Sequence, residues 1–234
     1  MMYKVIYENE AFLIVDKSPG VSFHKEDNSP GLTTRIKTDL LLTQLYAIHR
    51  LDKITSGILL FAKTKPTARE LSVKFSNRDI EKYYLALSDR RPRKKQGLIQ
   101  GGMQKSRRGA WKLLRSKVNP SITQFFSKSI GQGLRLFILK PSTGRTHQLR
   151  VAMKSIGAPV LGDPLYYKSS LSNEGVDRGY LHAYALRLSF GERSYSFVNV
   201  PEIGNFFKSD YFKESLGEYS RPWELKWPPI RTKT

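Results

Sequence analysis

The chain has 234 residues, enough to bury a sizeable core, and carries 40 Lys and Arg against 20 Asp and Glu, for a formal charge of +20. Without cysteine, disulfides, thiolate metal sites and thiol nucleophiles are excluded. The histidines His24, His49, His147 and His182 are scattered, with no ligand-like i, i+4 pair, so no metal site is expected.

Tyr3 to Tyr7 and Ala11 to Val15 are β-favouring runs on either side of Glu8-Asn9-Glu10, an opening hairpin. Met-Met-Tyr-Lys-Val-Ile at the start lacks the apolar core of a signal peptide, so a cytoplasmic protein is expected. Asp16-Lys17-Ser18-Pro19-Gly20 turns the chain, because Pro fixes φ and Gly admits the left-handed region. His24 to Thr34 reads as a loop and Thr34 to Tyr46 as a helix. Ile58 to Ala62 is an apolar run bounded by turn-formers, the pattern of a buried strand. Asp52 stands at its mouth, where a carboxylate is held rigidly and partly desolvated. Taken alone, Asp52 reads better as a residue that caps a turn through its own backbone.

Lys65-Pro66-Thr67 opens a helix running to Asn77, with Ala68, Leu71 and Phe75 on one stripe. Glu81 to Leu87 alternates as a strand that sends Tyr83 and Tyr84 to opposite faces. Between Asp89 and Asp163 there is no acidic residue, and residues 90–162 hold 17 Lys and Arg, most of the excess charge of the chain. Charge so concentrated points to a nucleic-acid-facing side. A membrane surface is disfavoured, because no long apolar or basic amphipathic helix accompanies the charge. Arg93, Lys94 and Lys95, and then Lys105, Arg107 and Arg108, read as tips of a sheet extension spanning about 88–116, placed for phosphate contact.

Ser121 to Ser127 and Leu134 to Leu139 are further strands. Pro141-Ser142-Thr143-Gly144 turns the chain into a helix over 146–156, with Leu149, Met153 and Ile156 on a core face and His147, Arg150 and Lys154 on an anion-facing one. Tyr180 to Phe190 and Ser194 to Val200 form a last hairpin. Ile203 to Leu216 reads as a helix, followed by a tail held by Trp223 and Trp227.

Four strings carry a family resemblance. His49-Arg50-Leu51-Asp52-Lys53-Ile54-Thr55-Ser56-Gly57, leading into an apolar strand, resembles the active-site motif of the RluA-type pseudouridine synthases. Lys82 to Ala86 resembles their Lys-x-Tyr-x-Ala strand, and Gly144 to Val151 with Gly157 to Asp163 their Gly-Arg-Thr-His-Gln-Leu-Arg-Val helix and following turn. Leu181-His182-Ala183 is similar to their last strand. The chain departs at Ala152, where the family usually has His, and at Ser18-Pro19, where the Pro stands beside the Gly.

The resemblance implies an α+β fold, a mixed and largely antiparallel central sheet with flanking helices and loops. It implies one catalytic domain over 1–234, standing alone, with the basic extension and a C-terminal helix and tail over 203–234. It implies an RNA pseudouridine synthase, an isomerase, acting on uridines in a stem-loop of rRNA or tRNA. Pseudouridine formation breaks a C–N glycosidic bond and rejoins the base through carbon, with no redox change or group donor, so no cofactor is expected. Asp52 becomes the catalytic carboxylate, by attack on sugar or base or by abstraction of a sugar proton. Tyr84 stacks on the target uracil. Arg150 is the guanidinium that opposes the upward pKa shift of a buried carboxylate, with Arg145 as the alternative. Arg50 meets the flipped nucleotide, and His49 and His147 orient backbone or RNA. A monomer with no obligate protein partner is the default expectation. The competing readings are a catalytically silent RNA-binding or ribosome-assembly factor on the same fold, and a hydrolase with paired carboxylates, which the acid-free middle third disfavours.

Overall fold

A computed structural model describes residues 1–25, 30–116, 118–168 and 175–230. Among them the chain runs β1 (Tyr3–Glu8), β2 (Phe12–Lys17), α1 (Leu32–Asp39), β3 (Tyr46–Ala47), β4 (Ser56–Ala62), α2 (Lys65–Asn77), β5 (Glu81–Ser88), β6 (Gln96–Lys105) and β7 (Trp111–Leu114). It continues through β8 (Ser121–Gly131), β9 (Leu134–Pro141), α3 (Gln148–Ser155), β10 (Leu181–Phe190), β11 (Arg193–Val198), α4 (Asn205–Lys208) and α5 (Asp210–Leu216). The residues group into two compact units, one of Met1–Ile80 with His182–Pro201, the other of Glu81–Leu181 with Glu202–Thr234.

In the first unit β4 is buried at every position, as its apolar run requires. Strand β2 lies antiparallel on one edge of it, from Phe12 opposite Ala62 to Lys17 opposite Gly57. Strand β10 runs parallel to the start of β4, with His182 opposite Ser56, and β3 pairs with its end. The expected opening hairpin forms, with the Asn9 carboxamide oxygen accepting the Ala11 and Phe12 amides to close its turn. Helix α2 has the bounds its pattern suggests. Thr64 caps it by accepting the Thr67 amide, and it stops at Arg78 in the left-handed region. Helix α1 does not reach Tyr46. It ends at Asp39 because Leu41 takes φ 52°, and Tyr46 and Ala47 are drawn into the ladder of β4. Of the loop read over His24 to Thr34, residues 26–29 lie outside the described residues.

The second unit is an antiparallel sheet in the order β5, β9, β8, β6, β7. Both of its faces are buried, one by Leu85, Leu87, Leu136 and Ile138 and the other by Phe125, Phe137 and Leu139. Strand β6 changes partner midway, pairing with β8 as far as Gly101 and with β7 from Gly102 onward. A Cβ at Gly101 would stand 2.2 Å from the Leu114 carbonyl oxygen, so this crossing needs glycine. Helix α3 begins at Gln148, two residues later than the pattern suggests, because His147 sits at φ 56°. The helix read over Ile203 to Leu216 is two short ones, broken where Ser209 is extended at φ −66° and ψ 149°. The tail packs as expected, with the Trp227 ring against Tyr83 and Phe126; residues 231–234 lie outside the described residues.

Candidate active site

Asp52 belongs to the first unit and is half-buried, one residue after the buried Leu51 and one before the exposed Lys53. Backbone and side-chain bonds hold its loop from three directions. The Thr55 amide closes a turn onto the Asp52 carbonyl at 3.0 Å. The Lys53 carbonyl accepts the Gly20 amide at 2.8 Å, and the buried Lys17 ammonium donates to the carbonyls of Ser18, Val21 and Lys53 at 3.0, 2.8 and 3.4 Å. The Asp16-to-Gly20 turn, with Gly20 at φ 76°, is therefore the floor of the Asp52 loop.

The residues after Asp52 are fixed as tightly. Ser56 Oγ lies 2.7 Å from Nδ1 of His182, whose Nε2 lies 2.8 Å from the Asn199 carbonyl. Because a carbonyl only accepts, Nε2 carries the proton and Nδ1 accepts from the serine hydroxyl. Gly57, at φ 107°, passes so close to β10 that a Cβ there would stand 2.3 Å from the Ala183 oxygen. His49 accepts the Leu60 amide at Nε2, 3.2 Å away, and stacks on Phe75, so its ring completes the β4 backbone ladder. Arg50 is exposed, with Nη1 3.1 Å from Nε2 of His24.

Tyr84 and Arg150 belong to the second unit. Tyr84, 9 % exposed, sits on β5 opposite Leu139. Its neighbour Tyr83 is wholly buried on the other face, beneath Trp227 and 5.2 Å from the Lys140 ammonium. Arg150 is 4 % exposed and does not stand on a solvated face of α3. Its Nε and Nη2 fork onto Asp163 at 2.7 and 2.9 Å. The Asp163 carboxylate also accepts the amides of Leu165 and Tyr166, and the Tyr166 ring centroid lies 5.1 Å from the Arg150 guanidinium. Asp163 ends the long acid-free stretch of sequence.

The turn ahead of α3 is held by Gln148. Its amide nitrogen donates to the Ile122 carbonyl and to Thr123, while its oxygen accepts Thr143 Oγ1 and the Arg145 amide, using all four bonding positions. Arg145 is exposed and bonded to Asn119, and His147 Nδ1 lies 2.9 Å from the Tyr166 hydroxyl. Arg93, Lys94 and Lys95 lie exposed between β5 and β6. Lys105, Arg107 and Arg108 are exposed at the tip of the β6–β7 hairpin, where Arg108 turns at φ 53°.

The profile of the RNA pseudouridylate synthase family matches residues 11–155, more than half of the chain and including His49 to Gly57, Tyr84 and Arg150. The chain belongs to that family. An RNA pseudouridine synthase of Haemophilus influenzae, itself named uncharacterized, is 49 % identical over 97 % of this chain and 100 % of its own. The dual-specificity RNA pseudouridine synthase RluA of Escherichia coli O6:H1 is 32 % identical over 79 % of this chain and 86 % of its own. Among solved structures, human RNA pseudouridylate synthase domain containing 1 superposes with a TM-score of 0.70 at 27 % identity, over 86 % of this chain and 83 % of that one. The enzyme is thus an isomerase that modifies RNA, on the α+β fold its motifs imply.

Proposed function

We propose that this synthase converts uridines in a structured rRNA or tRNA to pseudouridine, with Asp52 as the reacting carboxylate. The observation that carries the reading is the Asp52 loop itself. A half-buried carboxylate stands between an exposed arginine and a buried strand, in a motif whose His49 ring, Lys53 carbonyl, Thr55 amide and Ser56 hydroxyl are engaged in bonds that fix the loop. A nucleophile or base held in this way loses little freedom on reaching the reactive geometry.

The further roles follow the same reading. Tyr84 stacks on the target base, and Arg150, oriented by Asp163, supplies the positive charge of the reaction site. Arg50 meets the flipped nucleotide. Arg93, Lys94, Lys95, Lys105, Arg107, Arg108 and Arg145 take the RNA backbone, with His49 and His147 holding the protein segments around it. The whole chain acts as one catalytic domain and a monomer.

Release of tritium from uracil-labelled rRNA and tRNA, compared between the wild type and Asp52→Asn, tests the assignment. The expected result is unchanged RNA affinity and no product from the variant. Equal product from both would remove Asp52 from the chemistry. No product from either, with RNA still bound, would leave a silent RNA-binding factor.

A further inference from the structure

Beyond Gly101 the β6–β7 hairpin leaves the rest of its sheet, since β7 pairs with β6 alone among the described strands. A two-stranded ribbon is marginal by itself and needs an outside anchor to hold one orientation. Part of that anchor is one hydroxyl. The Trp111 amide at the head of β7 donates to Tyr166 Oη at 2.7 Å, and the same oxygen lies 2.9 Å from His147 Nδ1. Tyr166 is 3 % exposed, its ring faces Arg150 at 5.1 Å and Lys154 at 5.5 Å, and its amide donates to Asp163. The buried Tyr166 side chain therefore touches the hairpin that carries Lys105, Arg107 and Arg108, His147 just ahead of α3, and Arg150, while its backbone amide bonds to Asp163.

We propose that Tyr166 is a positioning residue that ties the orientation of the basic hairpin to the Arg150 site, so that RNA held by the hairpin is delivered in register with the reacting uridine. The proposal rests on the function argued above. Its physical basis is the Trp111 N–H. With the Tyr166 hydroxyl gone, that donor loses its acceptor, and the hairpin regains it only by swinging toward water.

The test is a double-mutant cycle between Tyr166→Phe, which deletes only the hydroxyl, and the pair Arg107→Ala with Arg108→Ala at the tip. RNA affinity is measured against salt with bulk tRNA and bulk rRNA as probes, and single-turnover pseudouridine formation at saturating RNA. In the wild-type background the tip pair should lower the salt slope by about two, one for each phosphate contact removed. In the Tyr166→Phe background most of that effect should vanish, and Tyr166→Phe alone should slow the saturated rate about tenfold, the size of one lost hydrogen bond, with little change in melting temperature. Additive effects on the slope, or a rate deficit that tracks lost stability and disappears on cooling, would overturn the proposal. A wild type that makes no pseudouridine would remove the proposed function, while the binding cycle would still report the tether.

Discussion

Arg150 and Asp163 form the most deeply buried ion pair described in the molecule, with side-chain exposures of 4 % and 0 %. Such a pair contributes little net stability against an apolar replacement, but removing one member strands a charge. Asp163→Ala should therefore cost about 3–5 kcal/mol in urea unfolding, whereas an alanine in the exposed pair Arg221–Glu224 should stay within about 1 kcal/mol. Arg150 was legible in the sequence as a residue of consequence because its motif is long and specific. Its partner was not, because an aspartate that ends a turn is indistinguishable in one sequence from an ordinary turn-former. Tyr166 was missed for the same reason. Its importance lies in a contact with Trp111, 55 residues away, that no local pattern announces.

Among the elements, strands were read more faithfully than helix ends. The β2, β4 and β9 runs are apolar and buried almost throughout, as their sequences suggest, whereas β5, read as alternating, is buried at every position from Lys82 to Ser88. Helix α1 and the pair α4 and α5 were read too long because what stops them is backbone: Leu41 turning left-handed and Ser209 extending. Gly57 was read as a turn-former and proves to be a point of strand contact. Gly57→Ala must both adopt φ 107° and displace the Ala183 oxygen, so it should cost about 1–3 kcal/mol in backbone strain alone, visible as a lowered melting temperature. The exposed cations between β5 and β6 make a separate expectation. Reversing Arg93, Lys94 and Lys95 to glutamate should weaken tRNA and rRNA binding and flatten its salt dependence, measured by anisotropy titrations over a range of salt. An unchanged slope would place RNA elsewhere.

For the molecule as a whole, alkaline pH is the exposed flank. Burial pushes the Tyr184 hydroxyl up from 10.0 to about 12, and burial with the nearby Glu218 does the same for Tyr219. Tyr180 is raised as well, by burial and then by its hydrogen bond to Asp177. A raised folded pKa means that the protonated form is the one the fold keeps, so this contribution is complete below pH 10 and drains away between 10 and about 12. Urea midpoints should fall across that window, with the last tyrosinate absorbance appearing only as the protein unfolds.

The bond between Ser56 and His182 spans 126 positions, because the first unit is assembled from the beginning of the chain and a return segment made much later. During translation the Asp52 loop leaves the ribosome long before the strand that secures it. Newly made chains should thus pass through a period in which the carboxylate is present but unsupported, and a fragment ending at Ile80 should remain unfolded. Closing so distant a contact is slow, so on refolding, RNA modification should lag behind the recovery of secondary structure.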